Sequence, residues 1–226
     1  MEQDQLNWIG SFTSKLLRKN FGKGPQSCQA TTSEKHLVIY IRGFISPMEE
    51  VLIHQGQRNQ VERARTVIIN HVIEELTGAL RARYERDVTE TFDDWNFPNN
   101  SGMIMFKLDE IIMEGSVTVP ASFTRLEQEV ARISQLVQKV PDQIHIYQLS
   151  STIYLVERIG ILIPIEKALV RKGFLEELKL TKDELEKEYF HRYGKFDELL
   201  NAKVKDIFID WDFKEDKSYM SFVVSS

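Results

Sequence analysis

The sequence predicts an α+β fold built twice: two α-β-β-α-α-β-β units in tandem, each an antiparallel sheet with long helices packed on one face. Three observations carry this. Asp94-Trp95-Asn96-Phe97 recurs 116 residues later as Asp210-Trp211-Asp212-Phe213, with Phe92 and Phe106 recurring in register as Phe208 and Phe222. Gly43, Pro47-Met48-Glu49, Leu52 and Gly56 recur at a spacing of 117 as Gly160, Pro164-Ile165-Glu166, Leu169 and Gly173. Around these anchors, helical and strand periodicities follow one another in the same order in both halves. A repeat at this spacing means the fold must be argued once per copy. It also divides the 226 residues into two lengths near the common domain size.

In the first copy, residues 4–20 read as a helix because Leu6, Ile9, Phe12, Leu16 and Leu17 form one stripe. Lys15, Arg18 and Lys19 crowd its C-terminal end, where cations suit the helix dipole, and Gly22 and Gly24-Pro25 stop it. Residues 27–32 read as a short strand. His36 to Phe44 is rich in β-branched and aromatic residues and almost continuously apolar, which predicts a central strand. Ser46-Pro47-Met48-Glu49 opens a short helix by a capping box, with proline at the first helical position, where its missing N–H costs nothing. A long helix follows over 57–86, with Val61, Ala64, Ile68, Val72, Leu76 and Leu80 expected on its buried face and Gly78 as a possible bend. Val88–Phe97 and Met103–Leu108 form a hairpin around the turn Pro98-Asn99-Asn100-Ser101-Gly102.

Residues 111–121, with Gly115 and Pro120 and no clear period, are the expected joint between domains 1–110 and 122–226. The second copy repeats the order: a helix over 122–139, strands near 143–149 and 152–160, and a short helix at Pro164-Ile165-Glu166 without the serine cap. Thr181 with Glu184 spells a capping box, so a break is expected in the second long helix near Leu180. The closing hairpin is 203–213 and 217–224. Its charged turn, Lys214-Glu215-Asp216-Lys217, reads as the loss of the first copy's Pro-Asn-Asn-Ser turn.

Composition excludes several function classes. The net charge is −5, and neither half is basic: residues 1–115 carry 13 Lys+Arg against 16 Asp+Glu, and the remainder 16 against 18. No nucleic-acid partner is expected from such a field. Cys28 is the only cysteine, so no intrachain disulfide forms, which suits a reducing compartment. Glu2, Asp4 and Asn7 interrupt any signal peptide, and no run reaches the roughly 20 apolar residues of a membrane span. A cytoplasmic protein is expected. The five histidines never fall at i, i+4 spacing, and Gly-x-Ser-x-Gly, phosphate-binding and dinucleotide-binding loops are missing from the sequence, so neither metal, cofactor nor catalytic residue is assigned.

Five sets of residues compete for a binding role. Arg42 ends an apolar strand close in sequence to Glu49; a guanidinium there suits a planar anion, although an ion pair with Glu49 or a place at the surface as a strand-end residue accounts for it more simply. Ile159 stands in its place in the second copy. Asp94, Trp95 and Asn96 form the second set. Asp93 and Asp94 are neighbours on a strand and point to opposite faces, which argues against a paired-carboxylate site and for Trp95 and Phe97 as packing residues. Asn99 and Asn100 offer a polar turn, more simply a hairpin connection. The arginines of 58–86 are interleaved with glutamates and read as a solvated face. Trp8, Phe12 and the basic end of the first helix would suit a membrane surface, but core packing explains the same stripe.

Arg42-Gly43-Phe44-Ile45-Ser46-Pro47-Met48-Glu49, then Gln55-Gly56-Gln57, then Asp94-Trp95-Asn96-Phe97-Pro98-Asn99-Asn100-Ser101-Gly102-Met103 resemble the MpsC family, as does the opening Phe21-Gly22-Lys23-Gly24-Pro25. The resemblance covers about 5–110. Over 122–226 it reduces to the Pro-x-Glu and Asp-Trp-x-Phe skeletons. Members of that bacterial family, named for a sodium-translocating system that generates membrane potential, are usually single units. The resemblance implies a link to membrane ion or inorganic-carbon uptake, and no active site comes with it.

Together these readings lead to a non-enzymatic accessory protein. It would bind a protein partner, a membrane transport complex or another copy of itself, through a sheet edge or the first helix, and so sit peripheral to the membrane. The alternative is a small-anion sensor with a pocket between the copies lined by Arg42, Glu49 and Trp95.

Overall fold

In the computed structural model, which describes residues 1–111 and 121–225, the chain falls into two units, Met1–Glu114 and Gly115–Ser226. Most of the joint expected at 111–121 lies outside the described residues.

The first unit runs α1 (Gln3–Phe21), β1 (Ser27–Ser33), β2 (His36–Arg42), α2 (Pro47–His54), α3 (Arg58–Tyr84), β3 (Val88–Asn96) and β4 (Ser101–Leu108). Its strands form one antiparallel sheet in the order β1-β2-β4-β3, so the nearly all-apolar β2 is central, as its sequence requires. Leu37, Ile39 and Ile41 of β2 and Ile104, Phe106 and Leu108 of β4 share one face by the two-residue strand period. They pack against Leu6, Ile9, Leu16 and Leu17 of α1 and Ile69, Val72, Leu76 and Leu80 of α3. The apolar stripe of α1 therefore goes into the core. Trp8 stacks on Phe12 at 4.8 Å and carries the Arg83 guanidinium 4.5 Å from its ring.

The buried stripe of α3 keeps the expected Val61, Val72, Leu76 and Leu80 and departs from the expected one by one residue between Val61 and Val72. Val61, Arg65, Ile69, Val72, Ile73, Leu76 and Leu80 are buried, whereas Ala64 is exposed and Ile68 only half-buried. Arg65 lies between two apolar residues at helical spacing and is a core residue. It does not belong to the solvated arginine face. Gly78 leaves α3 unbroken.

The second unit follows the same order: α4 (Ala121–Val137), β5 (Gln143–Gln148), β6 (Ile153–Ile159), α5 (Pro164–Arg171), α6 (Leu175–Tyr193), β7 (Val204–Asp212) and β8 (Lys217–Val224). A short α7 (Phe196–Leu199) precedes β7. Its sheet has the equivalent order β5-β6-β8-β7, again wholly antiparallel. The break expected near Leu180 is not there: α6 is continuous, and Thr181 Oγ1 donates to the Glu177 carbonyl at 2.7 Å instead of capping a new helix. The recurring glycines have one backbone reason. Gly43 and Gly160 sit at φ +67° and +68°, and Gly56 and Gly173 at +74° and +87°, in the left-handed region that a Cβ disfavours.

Candidate functional site

Ser46 and Glu49 form the expected capping box at the start of α2. Ser46 N–H donates to Glu49 Oε2 (2.8 Å), and Glu49 N–H donates to Ser46 Oγ (3.3 Å). The same carboxylate is also the counter-ion of Arg65. Arg65 Nε donates to Glu49 Oε1 at 3.0 Å, and Nη2 lies 2.7 Å from Oε2, a fork-on-carboxylate pair with side chains 2% and 8% exposed. One glutamate thus caps α2 and ties it to α3. Of the two plain readings of Arg42 the surface one holds: it is an exposed residue at the end of β2, opposite Ser27 and Ser101, while Glu49 pairs with Arg65.

Aromatic rings enclose the Arg65 guanidinium. It lies 4.5 Å from the ring centre of Trp95, 4.9 Å from Phe44, and 5.4 Å from both Phe21 and Phe97. Burial pulls this guanidinium below its ordinary range, while Glu49 and then Asp93 favour its charge. Asp93 Oδ2 also accepts from Trp95 Nε1 (3.2 Å), whereas Asp94 Oδ1 accepts from the Trp95 backbone N–H (2.6 Å). The two adjacent carboxylates have separate tasks, as their opposite strand faces imply. Trp95 packs over Gly102, its cross-strand neighbour; a Cβ there would come within 2.1 Å of the indole. Of the residues predicted to bind a ligand, then, Glu49 and Trp95 meet around Arg65, and Arg42 stands apart.

The polar turn is also structural. Asn96 Oδ1 accepts from Asn99 N–H (3.3 Å). Asn100, at φ +50°, accepts from the N–H groups of Phe44 (2.6 Å) and Ile45 (2.8 Å) through Oδ1, and its carbonyl accepts from Gly43 (2.8 Å). The hairpin turn therefore holds the β2–α2 connection in place. The second unit keeps this device, contrary to the expectation drawn from its charged turn. Asp216, at φ +50°, accepts from Ile161 (2.8 Å) and Leu162 (2.7 Å), and its carbonyl accepts from Gly160 (2.8 Å). Burial would raise its carboxyl pKa, but Lys167 at 2.7 Å and the two N–H groups hold it below the ordinary range.

The second unit rebuilds the buried pair with a larger charged cluster. Glu166 and Lys182, 117 residues beyond Glu49 and Arg65, pair at 2.8 Å. Gln138, at the position of Phe21, bonds Lys182 through its side-chain oxygen. Three further residues replace apolar core. Arg158 stands where the first unit has Ile41, Glu186 where it has Ile69, and Ser134 where it has Leu17, each of those three fully buried. Arg158 Nη2 donates to Glu186 Oε2 at 2.6 Å, Nε to Ser218 Oγ at 2.9 Å, and Nη1 to Ser134 Oγ at 3.3 Å. The other Glu186 oxygen lies 3.0 Å from Lys182 Nζ and accepts from Trp211 Nε1 at 3.2 Å. Burial pushes the Glu186 carboxyl upward, but Arg158 and Lys182 outweigh it and hold its pKa below the ordinary range.

Two carboxylates and two cations make this cluster neutral, and their side chains are between 0% and 9% exposed. Enclosed and mutually paired, these ions brace α4, α5 and α6 against β6. Sequence reasoning missed Arg65, Arg158, Lys182 and Glu186. One signal pointed to part of it: a Glu followed 16 residues later by a cation on an apolar helical stripe, once in each copy.

At the surface of the first unit, the loop before β1, the β2–α2 connection, α2, the start of α3 and the β3–β4 turn surround a groove of about 570 Å³, with Phe97 and Asn100 in its wall. Among the described residues no group of His, Cys, Asp and Glu is arranged to hold a metal ion, and no helix is long and apolar enough to cross a membrane.

Comparison with curated proteins and with solved structures returned no match. The sequence profile of one family matches twice, over residues 8–110 and 124–226, and each match spans one of the two units just described. The chain therefore belongs to the MpsC family, described as the Na+-translocating membrane potential-generating system (MpsC), and carries that family's domain in tandem.

Proposed function

We propose that the protein acts by binding and not by catalysis, as an accessory protein of a membrane ion or inorganic-carbon uptake system of the kind the family description names. It would work in the cytoplasm, held at the membrane by its partner. The observation that carries this reading is an exposed apolar position that both copies keep. Met48 on α2 is 71% exposed, and Ile165 at the same position of α5 is 65% exposed; Val51, one turn after Met48, is 61% exposed. Apolar side chains left outside equivalent short helices are what a protein–protein contact uses. The unusual ionic groups support the reading from the other side, because each is buried and compensated by a neighbour. The α1 face considered from sequence is buried in the core, so α2 and α5 are the better surface.

The test is in-cell crosslinking of the tagged full chain, comparing wild type with a Met48→Asp/Ile165→Asp variant. The expected result is recovery of an integral membrane transport subunit with wild type and its loss with the variant at unchanged thermal stability. Recovery of wild type only as a free species refutes the reading.

A further inference from the structure

The residues that line the groove of the first unit differ in charge from those at the same positions of the second. Its volume, about 570 Å³, lies within the usual range for small-molecule sites. Ile45, Ile53, Phe97 and Pro98 supply an apolar lining. Lys23 and Arg58 bring two permanent cations to it, against the single carboxylate of Glu50. Both cations are positioned by other groups. Lys23 Nζ donates to the Ile45 carbonyl at 2.8 Å. Arg58 Nε donates to Glu62 at 2.7 Å, and its guanidinium lies 5.5 Å from the Phe97 ring centre. Asn100 adds a directed donor. Its Oδ1 is committed to the N–H groups of Phe44 and Ile45, so Nδ2 is the amide atom left for a ligand in the groove it lines.

In the second unit the same places hold Leu175 for Arg58, Lys167 for Glu50, Arg171 for His54, Lys214 for Pro98 and Asp216 for Asn100. Asp216 offers an acceptor where Asn100 offers a donor, and Lys167 occupies it at 2.7 Å. The family fold therefore does not need Arg58 or the Asn100 amide.

We propose that the groove of the first unit is a binding site for a small organic monoanion, a carboxylate on a flat apolar body. The carboxylate would be met by Arg58, Lys23 and Asn100 Nδ2, and the body would lie against Phe97, Pro98 and Ile53. Glu62 on Arg58 and Glu50 in the lining set two carboxylates against the two cations, a balance that disfavours a phosphate dianion more than a monoanion. Donors set to meet a carboxylate disfavour a ligand lacking the charged oxygens.

The test is an NMR titration of the full chain with benzoate, with benzamide and inorganic phosphate as comparators. Benzoate is expected to shift the amides of Ile45, Ile53, Phe97 and Asn100 saturably, with benzamide and phosphate each at least tenfold weaker. Arg58→Leu and Asn100→Asp, which install the second unit's residues, are each expected to weaken benzoate at least tenfold. Lys23→Ala, at an exposed position, replaces either variant that fails to fold. Absence of a saturable shift, equal binding of benzamide, tighter binding of phosphate, or unaltered affinity in the variants overturns the site. None of these outcomes touches the docking reading, since Met48 and Val51 do not line the groove.

Discussion

Replacing Arg158 and Glu186 by the residues the first unit carries at those positions tests whether the second core needs its ions. Glu186→Ile alone leaves the Arg158 guanidinium fully buried with only the Ser218 and Ser134 hydroxyls as partners. Removing one member of a buried pair costs about 3–5 kcal/mol, and this case belongs at the upper end. Arg158→Ile alone leaves Glu186 with Lys182 at 3.0 Å and the Trp211 N–H at 3.2 Å, so the lower end is expected. Removing both leaves the neutral Glu166–Lys182 pair at 2.8 Å intact. Apolar replacement of a buried ion pair is commonly neutral or stabilising by about 1–4 kcal/mol. Against this stands the lost acceptor of Trp211 Nε1, about 1–3 kcal/mol. The double variant should therefore stay within about 2 kcal/mol of wild type, far above the sum of its singles, with a coupling energy of at least about 3 kcal/mol. Adding Ser134→Leu, the counterpart of Leu17, fills the room left by the guanidinium. Native-state hydrogen exchange of β6 and β8 amides reads the opening energy of this unit by itself, and about 3 kcal/mol appears as a roughly hundredfold change in exchange. A double variant as unstable as the two singles added together refutes the argument.

Three further outcomes follow from the same geometry. The Glu186 carboxyl is depressed in the folded chain, so its contribution is present above the ordinary carboxylate range and is lost as pH falls through the folded value. The opening energy of β6 amides, read from exchange after division by the intrinsic rate at each pH, should fall in acid in wild type and much less in the Arg158→Ile/Glu186→Ile variant; equal acid slopes would defeat the assignment. Asn100→Ala removes two hydrogen bonds and puts a Cβ residue without a local partner at φ +50°, a loss of about 3 kcal/mol to the first unit by urea unfolding. Asn100→Gly keeps the φ and should lose about 1 kcal/mol less, a difference whose absence would exclude backbone strain. Burial pushes the Cys28 thiol up to about 12, so iodoacetamide at pH 8 should label it at least about 100-fold more slowly than glutathione, and labelling at comparable rates would contradict the burial.

What was legible in the sequence was whatever depends on local backbone chemistry. The Ser46-Pro47-Met48-Glu49 box and the position of β2 each follow from a few adjacent residues, and each has the form read from them. The charged residues were read less well, because a charge on a helix is normally solvated, and the six arginines of 58–86 alternate with glutamates as a solvated face does. Arg65 departs from that rule because two independent elements compensate it: Glu49, held in place by its own capping role, and a set of rings contributed by α1, the β2–α2 connection and β3 with the turn after it. That coincidence exists only once the chain is folded. Asp216 was misread for the complementary reason. Its side chain was read as a charge, although its acceptor oxygen and tolerance of positive φ reproduce the work of Asn100.

The two copies then show which part of that work the fold requires. A cation at the position of Arg65 and Lys182, with a carboxylate at that of Glu49 and Glu166, survives in both, although two of the four surrounding rings become Gln138 and Ile161 in the second and only Trp211 and Phe213 are kept. Half of that environment changed while the pair did not. The constraint on it is therefore its geometry at the start of the short helix, where one glutamate must both cap that helix and fasten it to the long one. A change at Glu49 that keeps the cap but lacks charge, Glu49→Gln, separates these two tasks. Leaving Arg65 buried without a counter-ion should cost the first unit about 3–5 kcal/mol although the α2 cap remains.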